Sequence, residues 1–198
     1  MYDTTSIMIA GVGGQGTVLA SRVLSLVAMK AGMDVKQSEI HGMSQRGGSV
    51  VTHVRFGEKV HSPLVCFGSA DYIMAFEELE ALRCLPYLKE KGLMIFNTQR
   101  MLPMPVITGA ATYPRDVLED MHKQGVHAIG VDASGIGQEK GDARAANMVL
   151  MGVLSKAMEI ADTLWYEAIS ECLRPNLVEM NREAFSAGQS LYQIESPA

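Results

Sequence analysis

Two short stretches hold most of the chemistry this sequence can offer. Residues 11–16 read GVGGQG, a G-x-G-x-x-G pattern at Gly11, Gly13 and Gly16, with Gly14 and Gln15 inside it. Between a strand and a helix, such glycines permit a tight turn and bring backbone amides close to an anion at the helix N-terminus. Residues 40–49 read IHGMSQRGGS. Gly47 and Gly48 remove side chains, so a group can approach the backbone there. Arg46 offers a planar fork of donors suited to a carboxylate or phosphate, and Ser44 and Gln45 add neutral hydrogen-bonding groups. A cluster of small and polar residues interrupting a sheet points to recognition; the competing reading is a solvated arginine on a surface loop. Glu39 follows Gly16 by 23 residues, the place where a dinucleotide-binding protein holds its ribose. The glycine pattern alone is equally compatible with a close strand-to-helix crossing that binds nothing.

Other reactive side chains form no obvious constellation. Cys66, Cys84 and Cys172 are widely spaced, with no C-x-x-C pair. That argues against a disulfide framework, a zinc knuckle or a self-contained iron–sulfur site, and each cysteine is expected to be a small buried hydrophobe. His41, His53 and His61 are close in sequence, but nothing obliges them to converge, and no metal is expected. Glu77 and Glu78 read as first-turn helix acids, and Asp71, Asp132 and Asp142 as caps at strand–helix junctions. No nucleophile elbow, H-E-x-x-H or P-loop occurs.

The elements that must position these loops follow from the apolar pattern. Residues 6–12 form a short apolar run ending in glycine, a buried strand. A helix over 16–32, closed by Gly32, and a strand over 33–39 complete a β-α-β unit. From 49 to 56 the residues alternate: Val50, Thr52, Val54 and Phe56 share one face. A hairpin turn at Gly57-Glu58 would make 49–62 an inserted antiparallel ribbon. Further strands are expected at 72–76, 92–97 and 126–133, with a short one at 105–108. Helices are expected at 77–91, kinked at Pro86, and at 115–124. The last third reads as helices over 143–161, 161–173 and 176–192, the first apolar nearly all round and therefore central. The fold class is α/β, a Rossmann-like three-layer fold with a mostly parallel sheet, in one domain over 1–198.

Composition narrows the function classes. The chain has 198 residues, 47% hydrophobic and 20% charged, with a net charge of −5 and no lysine- or arginine-rich run. That disfavours broad nucleic-acid binding. Residues 4–21 carry no charge, but their four glycines and polar groups argue against a membrane span, and no basic leader precedes them. The expected setting is cytoplasmic. An exposed apolar surface should mark any partner interface, with 101–107 and the C-terminal helix as candidates.

Three segments, GVGGQGTVLAS, SEIHGMSQRGGSVVTHVRFG and ARAANMVLMG with the later NREAFSAG, resemble in order and spacing the gamma-type subunits of 2-oxoacid:ferredoxin oxidoreductases, the indolepyruvate type above all. The resemblance spans Ser6 to Gly188. It implies a reaction in which a 2-oxoacid, coenzyme A and oxidised ferredoxin give an acyl-CoA, carbon dioxide and reduced ferredoxin. It also implies that thiamine diphosphate, Mg and 4Fe-4S clusters sit on a partner alpha subunit, within an α2β2 assembly that includes homodimer contacts. Three scattered cysteines and the lack of a G-D-G…N run leave this chain without a cofactor site of its own, so no residue is self-sufficient for catalysis and the chain is inert alone. Residues 41–48 would face the active-site side, with Arg46 meeting the 2-oxoacid carboxylate, a coenzyme A phosphate or an acid on the partner. The alternatives are a stand-alone NAD(P)-binding oxidoreductase using Gly11–Gly16 and Glu39, and a non-catalytic nucleotide-binding regulatory module.

Overall fold

The computed structural model describes residues 4–42 and 48–192. Six strands form one sheet: β1 (Thr5–Val12), β2 (Asp34–His41), β3 (Ser49–Gly57), β4 (Ala70–Ala75), β5 (Leu88–Asn97) and β6 (His127–Val131), in the order β2-β3-β1-β4-β5-β6. Pairings from β1 through β4 and β5 to β6 are parallel, whereas β3 is antiparallel to both neighbours, β1 and β2. One strand therefore runs against the other five.

Alternation along β1 sends side chains to two cores. Ile7 and Ile9 face helices α1 (Thr17–Lys30), α6 (Ala146–Ala157), α7 (Asp162–Cys172) and α8 (Pro175–Leu191). Met8 and Ala10 face α2 (Glu78–Cys84) and α4 (Val117–Lys123). This is the three-layer arrangement expected of a mostly parallel sheet covered on both sides. α6 is buried from Asn147 through Ser155 and lies against α8. At their crossing a Cβ on Gly152 would fall 2.0 Å from the Phe185 carbonyl oxygen, and one on Gly188 would fall 1.9 Å from that of Val149. The backbones touch, so no side chain fits. Among the described residues no helix is long and apolar enough to cross a membrane.

Several local expectations are corrected. The antiparallel ribbon exists, but it is β2 with β3, and β3 also pairs with β1; residues 58–62 are not its second strand. Those residues are held by tertiary bonds instead, including Val60 N–H to Asp34 Oδ2 (2.9 Å) and Arg55 Nη1 to the Ser62 carbonyl (3.0 Å). The helix from residue 77 stops at Cys84, passes through one 3-10 turn at Leu85–Tyr87, and residues 88–91 join β5. Residues 104–107 form a short helix, α3 (Met104–Ile107), with Pro103 as its cap and Pro105 in its first turn, where proline is tolerated. α5 (Ala133–Glu139) was not anticipated; Asp132 caps it by accepting from Gly135 N–H at 2.9 Å. Asp142 caps the next turn, but Asp71 caps nothing: it lies in β4 and accepts from Ser6 N–H at 2.7 Å. Cys66 is exposed, Cys84 buried and Cys172 intermediate. His53 is buried and hydrogen-bonded; its Nδ1 takes the Val65 N–H at 3.1 Å, and burial lowers its pKa. The C-terminal helix α8 turns Asn181, Ala184, Phe185 and Gly188 into the core.

Candidate functional site

The crevice lies at the C-terminal ends of the parallel strands, where doubly wound sheets bind ligands. β1 ends at Val12, and the chain turns through the glycine loop into α1. Gly16 caps the helix at φ +86°, a conformation that favours glycine, and no side chain caps the helix end. A Cβ at Gly16 would fall 2.6 Å from Asn147 Nδ2, so α6 presses its one amide against the loop. Gly11 also packs closely, whereas Gly14, at φ +105°, has open space around it.

Strand reversal brings the second loop to the same place. Because Val12 pairs with Ser49, the connection between β2 and β3 opens at this end, and Gly13 N–H donates to the Gly48 carbonyl at 2.9 Å. Ser44, Gln45, Arg46 and Gly47 lie outside the described residues. Gln15 does not point to solvent. Its Oε1 accepts Val12 N–H at 2.7 Å, and its Nε2 reaches the Phe76 carbonyl (3.1 Å), Gln99 Oε1 (3.3 Å) and Met101 Sδ (3.4 Å). Asn97, ending β5, donates to Ser134 Oγ at 2.9 Å and accepts Ala133 N–H at 3.1 Å. The ends of β1, β4 and β5 are thus stitched by side-chain amides.

A cavity of about 620 Å³ opens over this floor, walled by the glycine loop, Leu19, Arg144, Asn147, Arg174 and Met180 among others. Asn147 is 4% exposed, and its Oδ1 has no hydrogen-bond partner among the described residues. An unpaired buried amide costs stability and marks a place where a ligand group can complete the bonding. Arg144 holds Asp142 through its guanidinium, which pulls the carboxyl down to about 2. Glu77 and Glu78, which read as first-turn helix acids, prove to be buried, as does Glu80. Glu80 accepts from Ser49 Oγ at 2.5 Å and so ties α2 to the start of β3. Sequence reasoning also passed over Asn147 and Gln99. A lone amide in an otherwise apolar helix was the available signal for Asn147.

The alternative dinucleotide site does not assemble. β3 intervenes between β1 and β2, so Glu39 sits two strand spacings, about 10 Å, from β1. It is engaged by His41 Nδ1 at 2.8 Å. Glu39 therefore does not serve the glycine loop as the ribose-binding acid of a dinucleotide site. Nor do the donors fit an iron–sulfur cluster: the three cysteines are dispersed, and burial pushes Cys84 up to about 12, far from thiolate character. Among the described residues no group of three His, Cys, Asp or Glu could hold a metal ion.

Comparison with known proteins agrees with this architecture. The chain is 40% identical over 190 residues to indolepyruvate oxidoreductase subunit IorB of Thermococcus kodakarensis, covering 92% of this chain and 93% of that one. The gamma subunit of a keto/oxoacid ferredoxin oxidoreductase from Geobacter sulfurreducens has the same fold, with a TM-score of 0.70 at 20% identity over 94% of this chain and 96% of that one. The 2-oxoglutarate:ferredoxin oxidoreductase of Magnetococcus marinus, solved with 2-oxoglutarate, coenzyme A and succinyl-CoA, matches at TM-score 0.75 and 22% identity, over 98% of this chain but 32% of that longer one. Residues 6–191 match the family model for pyruvate ferredoxin/flavodoxin oxidoreductase, and the chain belongs to that family.

Proposed function

We propose that this chain is the small subunit of a 2-oxoacid:ferredoxin oxidoreductase that acts on an aryl pyruvate such as indolepyruvate. Working in the cytoplasm as one domain, it joins a larger alpha subunit in an α2β2 assembly, is inert alone, and receives coenzyme A in its crevice. The observation that carries the reading is the convergence on one cavity of the glycine loop, itself tied to Gly48, and of Asn147, whose Oδ1 has no partner among the described residues. Backbone amides at the α1 N-terminus suit a diphosphate. Asn147 offers an amide to a neighbouring donor or acceptor, and Arg174 on the rim adds positive charge. Leu19 and Met180 give an apolar wall for an uncharged arm.

The reaction balances as follows. The 2-oxoacid loses carbon dioxide; the electron pair left behind departs as two single electrons to oxidised ferredoxin; the acyl group joins the coenzyme A sulfur, and its proton is released. Thiamine diphosphate with Mg, and 4Fe-4S clusters, would supply the electron sink and the exit route from the alpha subunit. This chain's part is to hold and orient the thiol co-substrate and to exclude water around it. Residues 44–47 would border the same site, with Arg46 meeting an anionic group.

The test is reconstitution. Substrate-dependent dye or ferredoxin reduction should need both subunits, and Asn147→Ala should raise the KM for coenzyme A about tenfold, a loss of roughly 1.4 kcal/mol. Arg46→Ala should lower turnover more than subunit affinity. An unchanged KM for coenzyme A in the Asn147 variant removes the crevice assignment; reduction by this chain alone removes the two-subunit reading.

A further inference from the structure

The connection from Arg100 to Tyr113 closes on a single buried oxygen. Glu77, 1% exposed, accepts through Oε1 both the Met101 N–H at 2.9 Å and the Tyr113 hydroxyl. Its Oε2 accepts Glu80 N–H at 3.0 Å. Beside it Arg100 pairs with buried Glu78, and its guanidinium sits 5.6 Å over the Tyr113 ring. Burying carboxylates is costly unless their lone pairs are matched, and here the connection itself supplies the donors. Both ends of the loop are thereby fixed.

What this clamp presents is apolar. Leu102 is exposed, Met104 is 66% and Ile107 61% exposed, with Pro103 and Pro105 stiffening the turn between them. Large apolar groups held rigidly in water gain from being covered and lose little conformational freedom when they are. The patch is continuous with the crevice, because Met101 both lines the cavity and receives Gln15 Nε2. Charge adds direction: with Arg100 spent on Glu78, exposed Arg115 remains in no ion pair among the described residues, and residues 98–115 carry no acid, in a chain whose net charge is −5.

We propose that this clamped loop is where the larger subunit docks, inserting Met104 and Ile107 into an apolar recess rimmed by carboxylates. The inference rests on the two-subunit reading above. It is supported by the Magnetococcus enzyme, in which the same fold makes up about a third of a longer polypeptide, so that further enzyme is joined to this unit within one chain. A second exposed apolar site, Phe67 stacked on Tyr87 at 4.4 Å and 72% exposed, belongs to a different loop and is the internal control.

The experiment uses separately purified full-length subunits, with association measured by calorimetry or sedimentation. The double variant Met104→Glu, Ile107→Glu should bind the larger subunit at least about tenfold more weakly, at an unchanged melting temperature, while Phe67→Glu binds as wild type. A milder pair, Leu102→Ser with Met104→Ser, should weaken binding in the same direction and guards against a folding defect. Wild-type affinity in both double variants, or an equal loss from Phe67→Glu, overturns the docking assignment while leaving the two-subunit reading intact. Wild-type subunits that never associate overturn both.

Discussion

The α6–α8 crossing and the crevice end of the sheet both contain essential glycines and buried side chains, yet they are held by opposite means. At the crossing, backbones meet at Gly152 and Gly188, and the surroundings are dry and apolar, with Trp165 and Phe185 fully buried. The Trp165 indole N–H has no partner among the described residues. At the crevice end the buried groups are Glu77, Glu78, Glu80, Asn97 and Asn147, and all but Asn147 find bonds that pin a loop. Close apolar packing supplies stability without specifying a surface, whereas matched polar burial fixes where loops stand. One region keeps the fold together; the other aims it.

Three substitutions probe that contrast. Gly188→Ala should be the most damaging, since its Cβ would strike the Val149 carbonyl and force two helices apart; a loss of about 3 kcal/mol in urea unfolding is expected. A loss below about 1 kcal/mol would mean the crossing has slack and the contrast is overstated. Glu77→Gln comes next, at about 2 kcal/mol, because an amide cannot accept from all three donors. Its diagnostic signature is faster hydrogen exchange at Met101 with little change in α6. The gentlest probe is alkali. Burial first, then the bond to Glu77, pushes the Tyr113 phenol well above its ordinary value of 10. A raised folded value gives stability that is complete below pH 10 and is lost as pH climbs through the higher folded value. Tyr113→Phe should flatten part of that pH profile; Cys84, raised from 9 to about 12, together with Cys172, Tyr72 and Lys30, which are also shifted upward, should leave a residual slope from pH 9.

The same division separates what could be read from the sequence from what could not. β1, α1 and α6 were legible because a continuous apolar run or a 3.6-residue period declares itself locally. The glycine loop was legible because its spacing encodes a turn. β3 showed its alternation correctly, but its partners lay at 34–41 and 5–12, and local pattern does not name a strand's partner. Residues 88–91 continued a helical pattern until sheet pairing overrode it. Met104–Ile107 has strand-forming residues in too short a run, and two prolines decided in favour of a helical turn. Glu77 and Glu78 were read only as first-turn helix acids, and Glu80 was passed over, because their burial depends on Met101, Arg100 and Ser49, which reach them only in the folded chain. Partner-dependent burial leaves no periodic trace.

The lone reversed strand has an evolutionary corollary. In a purely parallel sheet every loop at the crevice end leads straight into a helix, so altering its length disturbs a packed layer. The β2–β3 connection is bounded by two strands instead, and insertions there would leave both cores untouched. That corner can therefore carry side chains chosen for recognition without burdening the packed layers beneath it.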